Sequence, residues 1–258
     1  NDSCSRIKAN LNSRYMLKDK QLLLFQFDQF LRRISIYQDV REAKYDRAAI
    51  DNMPCYIGWL FARIIPSGEV HSCLKAHRIP TGSLYKNNFS EIWNSAKQVY
   101  FRKKTLTCRK NDPFFKCIGN DPATKEAGCY KSCDDIGRNT WMHNRMKMLT
   151  FLERAALKAM AKALKVRKRI IPKRPEYRSY HKNPVVAGAM HGRKAFSGPE
   201  QVVIDLTNKC NLNCISCWLY SPLLTKDKPL ASTLKQELSK NSIFQLIDDL
   251  AFLGTGRV

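Results

Sequence analysis

The sequence predicts a mixed chain, a cysteine-rich α+β part followed by the opening of an α/β part, and three observations carry that prediction. "CYIGWLFARIIPSGEVHSC" sets an apolar run, a Pro-Ser-Gly turn and a second short run between Cys55 and Cys73, the pattern of a hairpin. "QVVIDLT" is a short apolar run rich in Val and Ile, the pattern of a buried strand. "CNLNCISC" follows that strand at once, and a helix-like run follows the loop. Strand, functional loop and helix make the opening unit of an α/β domain.

The chain divides into three regions: 1–145, 146–185 and 186–258. In the first, "QLLLFQFDQFLRRISI" places Leu23, Phe27, Phe30, Leu31 and Ile34 on one helical stripe. "NNFSEIWNSAKQVYF" predicts a helix with Asn88 as N-cap and Glu91 three residues on. Trp59, Phe61 and Trp93 stand at positions that read as core. From Thr105 to Asn139 the chain is loop-like, with many Cys, Gly, Asp and Lys. Such a stretch has little apolar material to order it, and a bound metal would supply that order.

The second region predicts a basic amphipathic helix and a linker. Leu149, Leu152, Ala156, Ala159, Ala163 and Val166 recur at helical spacing. Arg154, Lys158, Lys162, Lys165 and Arg169 recur on the opposite face. "IIPKRPEYRSYHKNP" reads as the linker. In the third region, "STLKQELSKNSIFQLIDDLAFLG" reads as one helix, or two broken near Asn241, closed by Gly254. A lone strand before such a helix leaves both its edges unpaired, so this piece is not expected to act alone. "GTGRV" is no phosphate-cradling loop, because no strand precedes it.

Charge and cysteine usage narrow the function classes. A net charge of +23 on 258 residues invites nucleic acid, anionic lipid or an acidic partner. The excess is local: between residues 145 and 182, thirteen Lys or Arg face only Glu153 and Glu176. No base-reading motif accompanies them, and a stripe of alanines is weak for bilayer insertion, so a solvated linker helix is the reading. No apolar run reaches the roughly eighteen residues of a transmembrane helix. The chain opens "NDSCSR" and ends "FLGTGRV", and both ends read as cut, so a fragment is expected. Ten cysteines include one group too close for mutual bridging, which suits metal thiolates in a reducing cytoplasm.

That group has three members, whereas iron–sulfur clusters and structural zinc take four protein ligands. Three thiolates can hold three corners of a cubane and leave one iron open to a small molecule. Zinc completed by a distant His such as His191 is the plainer alternative. "IDLTNKCNLNCISCW" resembles the cluster loop of the radical SAM enzymes, CxxxCxxC after the first barrel strand. The resemblance implies that Cys210, Cys214 and Cys217 hold a [4Fe–4S] cluster whose unique iron is chelated by S-adenosylmethionine. It further implies reductive cleavage to a 5′-deoxyadenosyl radical that takes hydrogen from a substrate, with a peptide or protein as the suggested class. An electron donor such as flavodoxin or ferredoxin would then be a partner, and catalytic residues beyond the cysteines stay unassigned. Two departures stand out: Ser216 occupies a position that is usually aromatic, with Trp218 after the last cysteine, and no glycine-rich segment follows a second strand.

A second set lies upstream. Cys55, twelve residues, Gly68, four residues, Cys73, then "GSLYKNNFSEIWNS" and "GCYKSC" with Cys129 and Cys133, resembles the SPASM or twitch extension of radical SAM proteins. The resemblance implies one auxiliary [4Fe–4S] cluster on Cys55, Cys73, Cys129 and Cys133. Cys108 and Cys117 are more widely separated than the family's middle cysteines and are alternates or lone thiols. A four-cysteine zinc site suits the same residues, and Cys4 reads as a small apolar residue. The expected fold is thus a SPASM/twitch-like domain followed by the start of a radical SAM core, a partial TIM barrel. Such an extension ordinarily follows its barrel. Either two units stand in tandem, or the first region serves the downstream strand directly. The non-enzymatic alternative is a zinc-stabilised basic scaffold that binds nucleic acid.

Overall fold

The computed structural model describes residues 46–76, 79–107, 112–118, 128–129, 133–166, 182–210, 214–215, 232 and 235–258. The expected helix within 21–36, most of the linker, and Cys4, Cys108, Ser216, Cys217 and Trp218 lie outside them.

After a short helix α1 (Arg47–Asn52), one turn of helix α2 (Ile57–Leu60) runs straight into β1 (Phe61–Ile64). The predicted hairpin is present. Its turn closes through Gly68 N–H donating to Ile65 O at 2.8 Å, and β2 (Glu69–His71) returns antiparallel. Gly68 sits at φ +75°, and a Cβ there would meet the Tyr85 ring at 3.1 Å, so backbone and space both ask for glycine. β3 (Gly82–Ser83) adds a third strand.

β4 (Gln201–Ile204) is the apolar run read as the first strand of the α/β part. Both its edges were expected to be free; they are not. β4 pairs parallel with β1, Phe61 opposite Gln201 through Ile64 opposite Ile204, giving the order β3-β2-β1-β4. On its other side Gln201 bridges Arg257 in parallel, and Val202 N–H donates to Arg257 O at 2.8 Å. β4 thus has a backbone partner on each side. The hairpin supplies the opposite edge.

Alternation along β1 and β4 sends side chains into two apolar clusters. Ala62, Ile64 and Val202 join Val70, Phe89, Ile92, Trp93, Leu246 and Leu250 on one face. Phe61 joins Trp59, Leu60, Phe101, Met142, Leu157, Val185 and Val186 on the other. Trp59, Phe61 and Trp93 are core, as their positions suggested.

The expected single helix after Asn88 is two: α3 (Phe89–Trp93) and α4 (Ala96–Leu106). Asn88 caps α3 by accepting from Glu91 N–H at 3.0 Å, and Ser95 caps α4 by accepting from Gln98 N–H at 3.2 Å. The break is a tertiary demand. Asn94 Oδ1 accepts from Ala195 N–H at 3.0 Å and its amide donates to Ala195 O at 3.2 Å, seizing the strap that leads into β4. Trp59 and Trp93 donate their indole N–H groups to Lys194 O and Ser197 O on that same strap.

Arg102 of α4 is the strap's other holder. Its guanidinium is fully buried, lies over the rings of both Trp59 and Trp93, and donates to Gly58 O, Asn94 Oδ1 and Arg193 O. Burial lowers its pKa to about 9, so it stays cationic at neutral pH.

α5 (Ile136–Met148) is followed by α6 (Phe151–Val166), the basic helix, whose orientation corrects the sequence reading. Leu157 and Ala161 are buried, whereas Leu152, Ala156, Ala159 and Ala163 face outward, Leu152 at 77% exposure. The packed stripe is Leu157 and Ala161, joined in the same cluster by Leu149 just before the helix. Where linker was expected, α7 (Lys182–His191) begins, and Val185, Val186, Ala187 and Ala189 enter the core against α6 and α2.

The last helix, α8 (Lys240–Phe252), starts at a Ser239 cap and covers only the second half of the predicted stretch. Gly254 closes it at φ +69°, with Gly254 N–H to Ala251 O and Thr255 N–H to Leu250 O, the paired bonds of a Schellman stop.

Two outcomes follow from this architecture. Arg102→Ala strips the strap of charged donors and is expected to cost about 3 kcal/mol, with Arg102→Lys intermediate, read from urea midpoints. Thr150 and Glu153 cap α6 reciprocally, Thr150 N–H donating to Glu153 Oε2 at 2.9 Å and Glu153 N–H to Thr150 Oγ1 at 3.2 Å. These bonds, led by the Thr150 N–H and joined by Arg145, pull the Glu153 pKa from 4.5 to about 2. A depressed carboxylate pKa means the support is present above pH 4.5 and lost as pH falls towards 2. The helical signal of the protein should therefore exceed that of Glu153→Gln at neutral pH and converge with it at about pH 2.

Candidate metal centres

The upstream cysteines gather at the N-terminal end of β1. Cys55 precedes α2 with its N–H donated to Thr105 O at 2.9 Å, and Cys73 lies just past β2, which runs antiparallel. Cys133 lies three residues before α5, and its N–H donates to the buried Asp46 Oδ2 at 2.7 Å. Cys129 follows Gly128, which sits at φ +110°. Tyr56 N–H donates to Asn139 Oδ1 at 2.7 Å, tying α5 to the residue after Cys55.

The four thiols lie near enough to raise one another's pKa values, each opposing the ionisation of its neighbours. Burial pushes the Cys73 thiol well up, and Asp135, Cys55, Cys129 and Cys133 add negative potential that raises it further. Cys133 is raised chiefly by burial, then by Cys55 and Cys129. Asp135 is also raised by burial, against the opposing pull of Arg138. A pocket that penalises thiolates this way favours a multiply charged cation among them, which reverses the local balance. The donor set fits a thiolate-held metal centre. Among the described residues, no three Cys, His, Asp or Glu side chains converge as tightly as a single bound ion needs. Cys117 is half-buried, with its Sγ 4.0 Å from Phe114 O.

The downstream cysteines occupy the opposite end. β4 finishes at Ile204, and Cys210 and Cys214 lie in the loop beyond it, both exposed; Cys217 lies outside the described residues. Four residues of extended chain, roughly 13 Å, separate the end of β4 at Arg138 and Gln201 from the end at Asp205. The two cysteine sets therefore stand at opposite ends of one parallel strand pair. In parallel α/β architecture the C-terminal end is where functional loops collect, and it is the Cys210 loop that has that end.

Several residues without any local sequence signal build the ends of this strand pair. Arg138 pairs with Asp135, two residues after Cys133, and also donates to Gln201 Oε1 at the start of β4, while its guanidinium lies over Phe61. At the other end Arg63 donates twice to Asp205 Oδ2, at 2.9 and 2.6 Å. Glu237 accepts from Thr207 and from Asn208 N–H just before Cys210.

Residues 55–117 match the SPASM family model, described as an iron–sulfur cluster-binding domain. The match starts on Cys55, includes Cys73 and Cys108, and ends on Cys117. Iron–sulfur binding is the property this match supports, and such domains occur in radical SAM enzymes. Neither curated proteins nor solved structures give a significant match to the chain. No helix among the described residues is long and apolar enough to cross a membrane.

Replacing Cys55, Cys73, Cys129 or Cys133 singly by Ser is expected to cut bound metal and sulfide and to lower the melting temperature by about 5 °C or more. Metal and sulfide analysis of anaerobically prepared variants, with thermal melts, checks this.

Proposed function

We propose that this chain belongs to a radical SAM protein with an auxiliary iron–sulfur unit, and that it acts in a reducing cytoplasm. The observation that carries the reading is the three-cysteine loop at the C-terminal end of a parallel strand, in a chain whose residues 55–117 match SPASM. Cys210, Cys214 and Cys217 are the proposed ligands of a [4Fe–4S] cluster that leaves one iron for S-adenosylmethionine. Cys55, Cys73, Cys129 and Cys133 are the proposed ligands of one auxiliary cluster. With the cluster bound and one electron supplied, S-adenosylmethionine yields methionine and a 5′-deoxyadenosyl radical, which becomes 5′-deoxyadenosine on taking a substrate hydrogen.

The chain's own part is placement. The pairing of β4 with β1 supports the alternative in which the SPASM-like unit serves the strand that follows it. The exposure of Cys210 and Cys214 leaves the loop open to a cosubstrate and to an electron donor such as flavodoxin or ferredoxin. A peptide or protein substrate is proposed from the family resemblance alone.

Anaerobic reconstitution tests the reading. The chain should turn brown and bind about eight iron and eight sulfide, falling to about four of each when Cys210, Cys214 and Cys217 are replaced together. With dithionite and S-adenosylmethionine it should release 5′-deoxyadenosine. A colourless protein that retains zinc instead would overturn the proposal in favour of a zinc-stabilised scaffold.

A further inference from the structure

The segment from Asp205 to Lys209 leads straight into Cys210, and it is clamped from two sides. On one side Asp205 N–H donates to Ile64 O at 2.8 Å and its carboxylate takes the Arg63 guanidinium. On the other stands Glu237. Its Oε1 accepts from Thr207 Oγ1 at 2.7 Å and from Asn208 N–H at 2.8 Å, and its Oε2 lies 4.0 Å from Lys209 Nζ. Asn208 adds a bond from its side-chain amide to Gln236 O at 3.0 Å. One carboxylate thus engages three consecutive residues ahead of the first cysteine. The Thr207 hydroxyl, then the Asn208 N–H, hold the Glu237 carboxyl below its ordinary range, as expected of an ionised acceptor in charge-assisted bonds.

Glu237 is itself anchored to the SPASM-matched unit. Tyr85 O–H donates to Glu237 O at 3.0 Å, and Leu238 N–H donates to Pro66 O at 3.0 Å in the hairpin turn. The Leu238 side chain is buried with Ala62, Ile64 and Val70 and touches the space that Gly68 leaves open. The hairpin turn, Glu237 and the segment 207–209 form one continuous bonded path that ends next to Cys210.

We propose that Glu237 is a positioning residue: it fixes the Thr207–Lys209 segment against the SPASM-matched hairpin and so sets the place of the Cys210 thiol. This rests on the reading of the loop as a cluster site. Partners one step removed from metal ligands orient those ligands and tune the centre they hold. Glu237→Gln keeps an acceptor oxygen for Thr207 and Asn208 and should behave much like the native chain. Glu237→Ala removes it.

The test uses the full chain and two readouts. In the metal-free protein, Glu237→Ala should raise amide hydrogen exchange at Asn208 about ten-fold, the loss expected of a charge-assisted bond. Glu237→Gln should raise it far less, and Thr207→Val should give part of the alanine effect. In the anaerobically reconstituted, dithionite-reduced protein, titration with S-adenosylmethionine should change the electron paramagnetic resonance spectrum. Glu237→Ala should weaken that response about ten-fold, with rescue in Glu237→Gln. If native protein responds and Glu237→Ala responds identically, the inference is overturned, whatever the exchange shows. If native protein gives no response, the radical SAM reading fails instead, and unchanged exchange at Asn208 would sink the tether separately.

Discussion

Everything in this fold turns on the parallel pairing of two four-residue strands, Phe61–Ile64 and Gln201–Ile204. Neither is long enough to stand alone, and each is completed by the other. β1 brings the hairpin and its two cysteines; β4 brings the second cysteine segment and the bridge to Arg257. Side chains from both strands alternate into the same two apolar clusters, so removing either strand opens both faces at once. The polar fastenings, Arg138 to Gln201 at one end and Arg63 to Asp205 at the other, fix the register of that pairing. A slip of one residue would exchange the two faces and break both.

The strap from Arg193 to Ser197 shows how much of the stability is directional. Two indole N–H groups, one asparagine and one buried arginine reach the backbone of Arg193, Lys194, Ala195 and Ser197. Apolar contact alone would let this segment slide. Hydrogen bonds to named carbonyls do not, and an unmade bond in a buried site is costly. The strap thereby aims β4 at its place beside β1.

What was legible in the sequence follows from range. The hairpin announced itself because Gly68 sits between two apolar runs, and β4 because its Val and Ile cluster; α8 was half legible from Gly254. The cysteine spacing and the SPASM resemblance it carries are properties of the linear sequence and are legible in it. The β1–β4 pairing was not legible, since nothing in either run says which distant strand it meets. Arg63 and Asp205, or Tyr85 and Glu237, look like ordinary surface residues until the fold brings them together. The basic helix was misread for another reason: periodicity marked a row of alanines, whereas packing chose the face with Leu157. Pro184 hid α7, because a proline within a basic, proline-containing stretch signals linker, although it is tolerated in a helix's first turn.

The separation of β1 from β4 along the chain also bears on how the protein comes to be folded. Their contact joins residue 61 to residue 201, a long closure that local structure cannot anticipate, and topologies of this sort form slowly. A centre joining Cys55 to Cys133 would tie off much of the intervening polypeptide and leave roughly half the span to search. The entropic saving from such a halving is only about 0.6 kcal/mol. The larger gain would be temporal: a hairpin moored by such a centre would offer a finished edge before residues 201–204 are synthesised.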